Sequence, residues 1–233
     1  FSVFGMVPYL WGGFIPNITD AFFETMSGFT TTGATILDNI ESMPHGILFW
    51  RSLTQWIGGL GIVCFTIVLL PGFGASSQML YLSEATGVTH NKIYPKTRVM
   101  ARYIFMVYIL LTAVESALLM AGGMGLFDAV CHSMTTTATG GFSTKQASIA
   151  YWHSPYIEYV VSLFMLLSAI NFSLYIVACK SKWKQLRKNT ELKWFACSVG
   201  LLTLVISVVL FLNNGYGVEE AFRKSLFQVA TCH

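Results

Sequence analysis

Two short segments rich in threonine and glycine carry the residues whose types and spacing could do chemistry. The first Thr-Gly segment, residues 29–35, reads Phe29-Thr30-Thr31-Thr32-Gly33-Ala34-Thr35, and the second, residues 135–143, reads Thr135-Thr136-Thr137-Ala138-Thr139-Gly140-Gly141-Phe142-Ser143. Small residues that end in glycine let the main chain extend and turn its carbonyl oxygens inward. Such oxygens can replace the water around a dehydrated cation, which is the chemistry of a selectivity filter.

The repetition indicates that one structural unit occurs more than once in this chain. The main-chain oxygens expected to form the filters belong to Thr30, Thr31, Thr32, Gly33, Ala138, Thr139 and Gly140. We expect Gly33 to correspond to Gly140, with Gly141 as the alternative because the second copy has a one-residue gap. A threonine- and glycine-rich outer loop without function is the competing interpretation, and the second copy disfavours it.

The composition is that of a membrane protein. Apolar residues make up 54% of the 233 residues and charged residues only 11%, against about 25% charged in a soluble domain. The mean hydropathy is +0.60. The five cysteines and five histidines show no metal-ligand spacing, so neither a disulfide framework nor a metal centre is expected.

The elements that would position the filters alternate between long and short apolar segments. Four segments are long enough to cross a membrane: residues 45–70, 98–121, 155–179 and 194–212. Three segments of about 10–15 residues are too short to cross and suit half-helices that re-enter the membrane: residues 19–29, 127–137 and 218–232. Turns at membrane depth are tolerated only where they are buried in protein or line water.

We therefore predict an all-α membrane protein of repeated membrane–pore-helix–membrane units with re-entrant filter loops, similar to a potassium channel. Residues 1–75 form the first unit with a truncated first helix, and residues 98–180 form the second. Residues 76–97 and 181–193 are cytoplasmic loops, and residues 194–233 begin a third unit. Because no Met or leader begins the sequence and no polar tail ends it, we expect a fragment of a longer protein.

Charge placement predicts the orientation of the chain. Ten of the fourteen basic residues fall in two regions, around Lys92 to Arg102 and Lys180 to Lys193, which marks both as cytoplasmic. The half-helices then enter from the outer face. Acidic residues near that face, above all Asp38 and Glu41, are expected to form a mouth that concentrates cations.

One stretch resembles a known family. It resembles the helix after the first filter of Trk-type potassium-uptake proteins, the TrkH/KtrB/HKT superfamily and within it the TrkH branch, and reads Trp50-Arg51-Ser52-Leu53-Thr54-Gln55-Trp56-Ile57-Gly58-Gly59-Leu60-Gly61. The runs 27–35 and 140–144 are similar to the family's first two filters, and Asn91-Lys92 and Asn171 to two of its landmarks.

The resemblance implies a multi-pass transporter of the bacterial inner membrane, with four units around one K+ pore. It implies K+ as the transported ion, contacted here through Thr31, Thr32, Ala138 and Thr139, and no covalently bound cofactor. It also implies a homodimer, a cytosolic nucleotide-binding regulatory subunit similar to TrkA, the lipid bilayer as surroundings and no nucleic-acid partner. The family's third filter, fourth unit, gating loop and pore arginine are not in this sequence.

Several other residues admit a structural interpretation. We expect Glu115, in mid-span, to have a pairing or packing role, although an intramembrane carboxylate is a functional candidate. Arg51 is expected to reach the surface or to pair with Glu24, and His132 to cap or pack within its half-helix. Gly58, Gly59 and Gly61 are expected to permit close helix packing. An intramembrane enzyme and a non-transporting receptor or assembly subunit stay open as alternatives to ion uptake.

Overall fold

The computed structural model describes residues 2–61, 94–172, 174–175, 189–215 and 217–232. Within these ranges the regular structure is entirely helical, with no strand. The helices, in chain order, are α1 (Ser2–Gly5), α2 (Val7–Trp11), α3 (Ile18–Phe29), α4 (residues 45–61), α5 (Tyr94–Ala121), α6 (Leu126–Thr137), α7 (Pro155–Ala169), α8 (Thr190–Asn214) and α9 (Val218–Cys232). The predicted all-α class is confirmed.

The three predicted half-helices are present as α3, α6 and α9, with bounds within one residue of those expected. Capping explains where α3 starts, because the side chain of Asn17 accepts a hydrogen bond from the main-chain N–H of Thr19 at 3.1 Å. Helix α6 starts after Gly125, in an extended conformation like that of Asn17. The two half-helices have the same length of 12 residues.

Two of the described helices are long and apolar enough to cross a membrane, over Ala101–Ala121 and Thr190–Asn213. Large apolar side chains on α8 point outward, including Leu204 and Leu212, which are 61% and 72% exposed. An apolar outer surface is expected where a helix faces lipid. Residues 62–70 of the first predicted span and residues 76–93 and 181–188 of the predicted cytoplasmic loops lie outside the described ranges, as does the Asn91-Lys92 landmark.

The third predicted span, residues 155–179, is wrong as one continuous helix. Helix α7 ends at Ala169, and Ile170 has an extended conformation with ψ 137. The carbonyl oxygen of Leu167 accepts hydrogen bonds from the N–H of Ile170 at 3.2 Å and from the hydroxyl of Tyr175 at 2.6 Å. These donors satisfy a carbonyl that the break would otherwise leave unpaired inside an apolar segment.

Each of the first two predicted units has its own apolar core. In the first, Tyr9 and Ile15 pack with Ala21 of α3 and Leu48 of α4. The second core forms where α5, α6 and α7 meet, from Leu119, Met124, Ala129, Ile149, Ile157, Val160, Val161 and Phe164. Helix α9 packs on both α7 and α8, so the third half-helix lies beside the second unit.

Candidate selectivity filter

The first Thr-Gly segment follows α3 in a tight turn that is closed by two main-chain hydrogen bonds. The N–H of Thr31 bonds to the carbonyl of Gly28 at 3.0 Å, and the N–H of Thr32 bonds to the carbonyl of Ser27 at 3.0 Å. Thr31 has φ 55, in the left-handed region. This is the Schellman arrangement, in which a left-handed residue after a helix reverses the chain and satisfies the last carbonyls.

The second Thr-Gly segment repeats this turn after α6. The N–H of Thr139 bonds to the carbonyl of Thr136 at 2.9 Å, and the N–H of Gly140 to that of Thr135 at 2.9 Å. Thr139 also has φ 55. Two chain segments with different sequences therefore fold into the same backbone structure, as a duplicated unit should.

The register between the copies differs from the expected one. Positive φ occurs at Thr31 and Gly33 in the first segment, with φ 77 at the glycine, and at Thr139 and Gly141 in the second, with φ 82 at the glycine. Both pairs are 108 residues apart, from 31 to 139 and from 33 to 141. Gly141 is thus the equivalent of Gly33, as the alternative expectation had it, and the first expectation, that Gly33 corresponds to Gly140, is wrong.

Both turns place a threonine where glycine is usual. A left-handed conformation costs an L-residue about 1–2 kcal/mol, and β-branched side chains adopt it least readily. Finding this cost at Thr31 and again at Thr139 means that the surrounding hydrogen bonds impose it. Backbone strain of this kind concentrates at functional sites.

The turns leave main-chain oxygens available for a ligand. Among the described residues, no N–H or O–H donates to the carbonyl oxygens of Thr31, Thr32, Ala138 or Thr139. These four are the residues expected to contact the ion. An unpaired carbonyl needs water or a cation as its partner.

One cavity of about 510 Å³ brings both segments together. Its wall includes the predicted filter residues Thr32, Gly33, Thr139, Gly140 and Gly141. Thr30, Thr31 and Ala138 are not part of this wall. The side chain of Thr30 instead donates a hydrogen bond to the Met26 carbonyl at 2.8 Å, and Ala138 packs against Gly59 of α4.

The end of the third half-helix reaches the same cavity. Ala230, Thr231 and Cys232, the last residues of α9, line it together with Thr135 and Thr136 near the end of α6. The C-terminal ends of α6 and α9, together with residues 32 and 33 just after α3, therefore line one space. Each such end carries roughly half a negative charge, so the cavity favours a cation.

A buried ion pair holds the first segment in place. Arg51 of α4 donates from Nε to Glu24 of α3 at 2.8 Å, and the two side chains are 1% and 0% exposed. Glu24 also accepts from the Thr35 hydroxyl at 2.9 Å and from the N–H of Ile36 at 3.1 Å. The expected Arg51–Glu24 pair is confirmed.

The same arginine reaches the second segment. One Arg51 terminal nitrogen donates to the Ser143 carbonyl at 3.3 Å, and the guanidinium lies 4.2 Å from the centre of the Phe142 ring. The cation thus attracts the face of an aromatic ring as well as a carboxylate. One side chain therefore connects the first half-helix to the second filter segment.

The second copy uses different side chains at the equivalent positions. His132 and Ser143, 108 residues beyond Glu24 and Thr35, approach within 3.4 Å between the ring Nε2 and the hydroxyl oxygen. The His132 ring also meets the edge of Trp152, with ring centres 5.1 Å apart. Packing of His132 within its half-helix is confirmed, and the side chain also lines the cavity.

Gln55 is the site residue that sequence reasoning missed. Its Nε2 donates to the Gly140 carbonyl at 2.9 Å, and its Oε1 accepts from the N–H of Phe142 at 3.1 Å. The only signal available in sequence was an amide in an apolar helix, four residues after Arg51. That spacing places both side chains on one helix face.

The remaining candidate residues lie apart from the cavity wall. Asp38 and Glu41 are exposed, and neither lines the cavity. Glu115 is fully buried beside Thr136 and Thr137, and its carboxyl oxygens have no geometrically good hydrogen-bond partner among the described residues. The ion pair expected there as one option is thus not formed with any described residue. The same ranges contain no group of three metal-ligating side chains.

Comparison of the sequence with known proteins finds matches to one family of cation transport proteins. The family TrkH, described as cation transport protein, matches residues 11–215. The Trk system potassium uptake protein TrkH of Escherichia coli K12 is 37% identical over 232 residues, covering 97% of this chain and 48% of that protein. The protein TrkI of Halomonas elongata is 35% identical over 213 residues, covering 91% of this chain and 42% of its own length.

A solved structure has the same fold. The potassium transporter TrkH from Vibrio parahaemolyticus superposes with a TM-score of 0.85 at 35% identity, covering 99% of this chain and 47% of that chain. The chain spans about half the length of the relatives it matches.

Proposed function

The chain belongs to the TrkH family of cation transport proteins, and from this premise we propose that the complete transporter takes up K+ across the bacterial inner membrane. The pore is lined in part by the two Thr-Gly segments described above. The observation that carries this proposal is geometric: both segments and the end of α9 surround one cavity. Relatives named as potassium uptake proteins support K+ as the ion.

The cavity offers what a dehydrated cation requires. A permeating ion loses its water, and main-chain oxygens replace that water. Thr32 and Thr139 line the cavity, and their carbonyl oxygens have no described donor, so we assign these oxygens to ion contact. The oxygens of Thr31 and Ala138, one residue earlier in each segment, also lack a described donor and are assigned to the ion on that ground, although neither residue lines the cavity.

Electrostatics favours inward movement of a cation. The ends of α6 and α9 and the turn after α3 line the cavity, and the negative partial charge of a helix C-terminus attracts a cation. The membrane potential adds about 2.3 kcal/mol per charge per 100 mV. No catalytic residue is assigned, because the transport proposed here needs only an electrochemical gradient and a pore. The names of the relatives concern ion uptake rather than catalysis.

We further propose a multi-pass arrangement in the inner membrane, a homodimer, and gating by a cytosolic nucleotide-binding subunit similar to TrkA. The long apolar helices α5 and α8 support the membrane arrangement. The basic residues that cluster in the sequence between positions 180 and 193 support a cytoplasmic location for this stretch, and their charge suits contact with a regulatory protein or anionic lipid.

Uptake of Rb+ as a K+ substitute tests the proposed function directly. The complete transporter is expressed in bacterial cells that lack their own K+ uptake systems, and Rb+ accumulation is measured against cells with an empty vector. We expect Rb+ to accumulate and the cells to grow at low external K+. A protein that inserts normally but carries no Rb+, with or without a TrkA-like subunit, would instead support the receptor or enzyme alternatives.

A further inference from the structure

Gln55 lies on α4, one helical turn beyond Arg51, and its side chain is completely buried. A buried amide must find hydrogen-bond partners, because leaving its N–H and C=O groups unpaired would cost about 1–3 kcal/mol each. Gln55 finds one partner for each group in a segment more than eighty residues away, at Gly140 and Phe142. It thus connects the first unit to the filter of the second.

The two hydrogen bonds act on a flexible stretch of main chain. They hold the Gly140 carbonyl and the Phe142 N–H at opposite ends of one planar amide, with Gly141 at φ 82 between them. A pair of glycines has little conformational preference of its own. The conformation of Gly140 and Gly141 is therefore restrained by the side chain of Gln55, which belongs to the first unit.

The same carbonyl also determines how closely the two filter segments approach. A Cβ atom added at Gly33 would lie 2.1 Å from the Gly140 oxygen, so this oxygen lies directly against the first segment. Between Gln55 on one side and Gly33 on the other, the Gly140 carbonyl acts as a spacer. Its position influences the width of the cavity that both segments line.

We propose that Gln55 is a positioning residue for ion selectivity. By holding the Gly140–Phe142 stretch against α4, it keeps the second filter segment at the distance from the first that suits K+ rather than Na+. Gln55 is not part of the cavity wall and does not touch the ion, so it acts through the main chain of its neighbours. This inference rests on the proposed function.

The test replaces Gln55 with methionine, which has a similar length but cannot donate or accept these hydrogen bonds. Uptake of Rb+ and of Na+ is measured with the complete transporter in proteoliposomes. We expect the ratio of Rb+ to Na+ uptake to fall about tenfold, the change that corresponds to 1.4 kcal/mol. Ser52→Ala is the matched control, because Ser52 is buried on the same helix and bonds to the Leu48 carbonyl and to Cys131 of α6, but to neither filter segment.

A second variant disturbs the same contact from the opposite side. A Cβ atom at Gly140 would lie 2.4 Å from Cδ of Gln55, so Gly140→Ala displaces the amide. We expect Gly140→Ala to lower the ratio alone and to add little in combination with Gln55→Met. Non-additivity shows that the two substitutions disturb the same contact, and the ratio of Rb+ to Na+ uptake, rather than stability, is the quantity that a merely structural role would not change.

The outcomes separate the two proposals. If the unmodified transporter fails to prefer Rb+, the proposed function falls. If it prefers Rb+ but Gln55→Met keeps the same ratio, if Ser52→Ala loses selectivity equally, or if the two substitutions are fully additive, the positioning role is overturned. Should Gln55→Met fail to insert, Gln55→Asn decides, because its shorter amide cannot reach both Gly140 and Phe142: an unchanged ratio refutes the role, and a lowered ratio supports it.

Discussion

A single methyl group at Gly33 should separate the two filter segments. Its Cβ would lie 2.1 Å from the Gly140 oxygen, where contacts under 3.0 Å are essentially never seen, so main chain must shift by roughly 1 Å. The Gly140 carbonyl cannot withdraw freely, because it is bonded to Gln55. Overpacking of this kind costs about 1–3 kcal/mol, in addition to about 1–2 kcal/mol for a side chain at φ 77.

Gly141→Ala provides a matched control for this substitution. Gly141 is the structural equivalent of Gly33 and has φ 82, but no described atom lies within 4 Å of its added Cβ. The two variants therefore share the conformational cost and differ in the steric clash. We expect Gly33→Ala to lose more thermal stability, and more K+ over Na+ discrimination, than Gly141→Ala.

The assay combines Rb+ uptake, competition by Na+ and the unfolding temperature of the purified transporter. Gly33→Ser should behave like Gly33→Ala in discrimination, since its side chain starts with the same Cβ. If Gly33→Ala and Gly141→Ala lose the same K+ over Na+ discrimination, the close approach of the two segments does not contribute to selectivity. Unchanged discrimination in Gly33→Ala would remove the filter assignment itself.

Three further predictions concern the surroundings of the filter. Gly58→Ala should destabilise the transporter, because the added Cβ would lie 2.2 Å from the Phe29 carbonyl oxygen. Gly61→Ala is the control: no described atom lies within 4 Å of its Cβ, so it should be neutral or stabilising by up to about 1 kcal/mol, and unfolding temperatures distinguish the two variants. Arg51→Met should cost about 3–5 kcal/mol by leaving a buried carboxylate unpaired, and normal accumulation of this variant would contradict that. Neutralising both Asp38 and Glu41 should slow uptake mainly at low ionic strength, and unaltered low-salt uptake would rule out the electrostatic mouth.

The half-helices could be predicted from the sequence because their signals are local. Length alone distinguishes a segment of 12 residues from a full span, and Asn17 marks the start of α3 by its capping chemistry. The Arg51–Glu24 pair was one of two options that the sequence offered, because a buried charge requires an opposite charge beside it, but charge alone does not select Glu24 among the nearby acidic residues.

Other features depend on information that local sequence does not hold. Gly140 and Gly141 are the same residue type, and the φ of 82 shows that Gly141 matches Gly33, although the match of Asp20-Ala21 with Asp128-Ala129, also 108 residues apart, indicates the same register in the sequence. The end of α7 at Ala169 lies in a mostly apolar run, where the isolated polar residues Ser168, Asn171 and Ser173 do not by themselves mark a helix end. The role of Gln55 required knowing which main-chain groups, 85 and 87 residues away, would lie beside it.

The constant spacing of 108 residues has a consequence for how these units could diverge. The backbone of both turns is the same, yet one is braced by a carboxylate and a guanidinium, and the other by an imidazole and an indole. The side chains that support each turn thus differ between the two copies, whereas the backbone conformation is the same. Inserting one residue between α3 and Gly33, or between α6 and Gly141, would therefore disturb the turn more than replacing the side chains that support it.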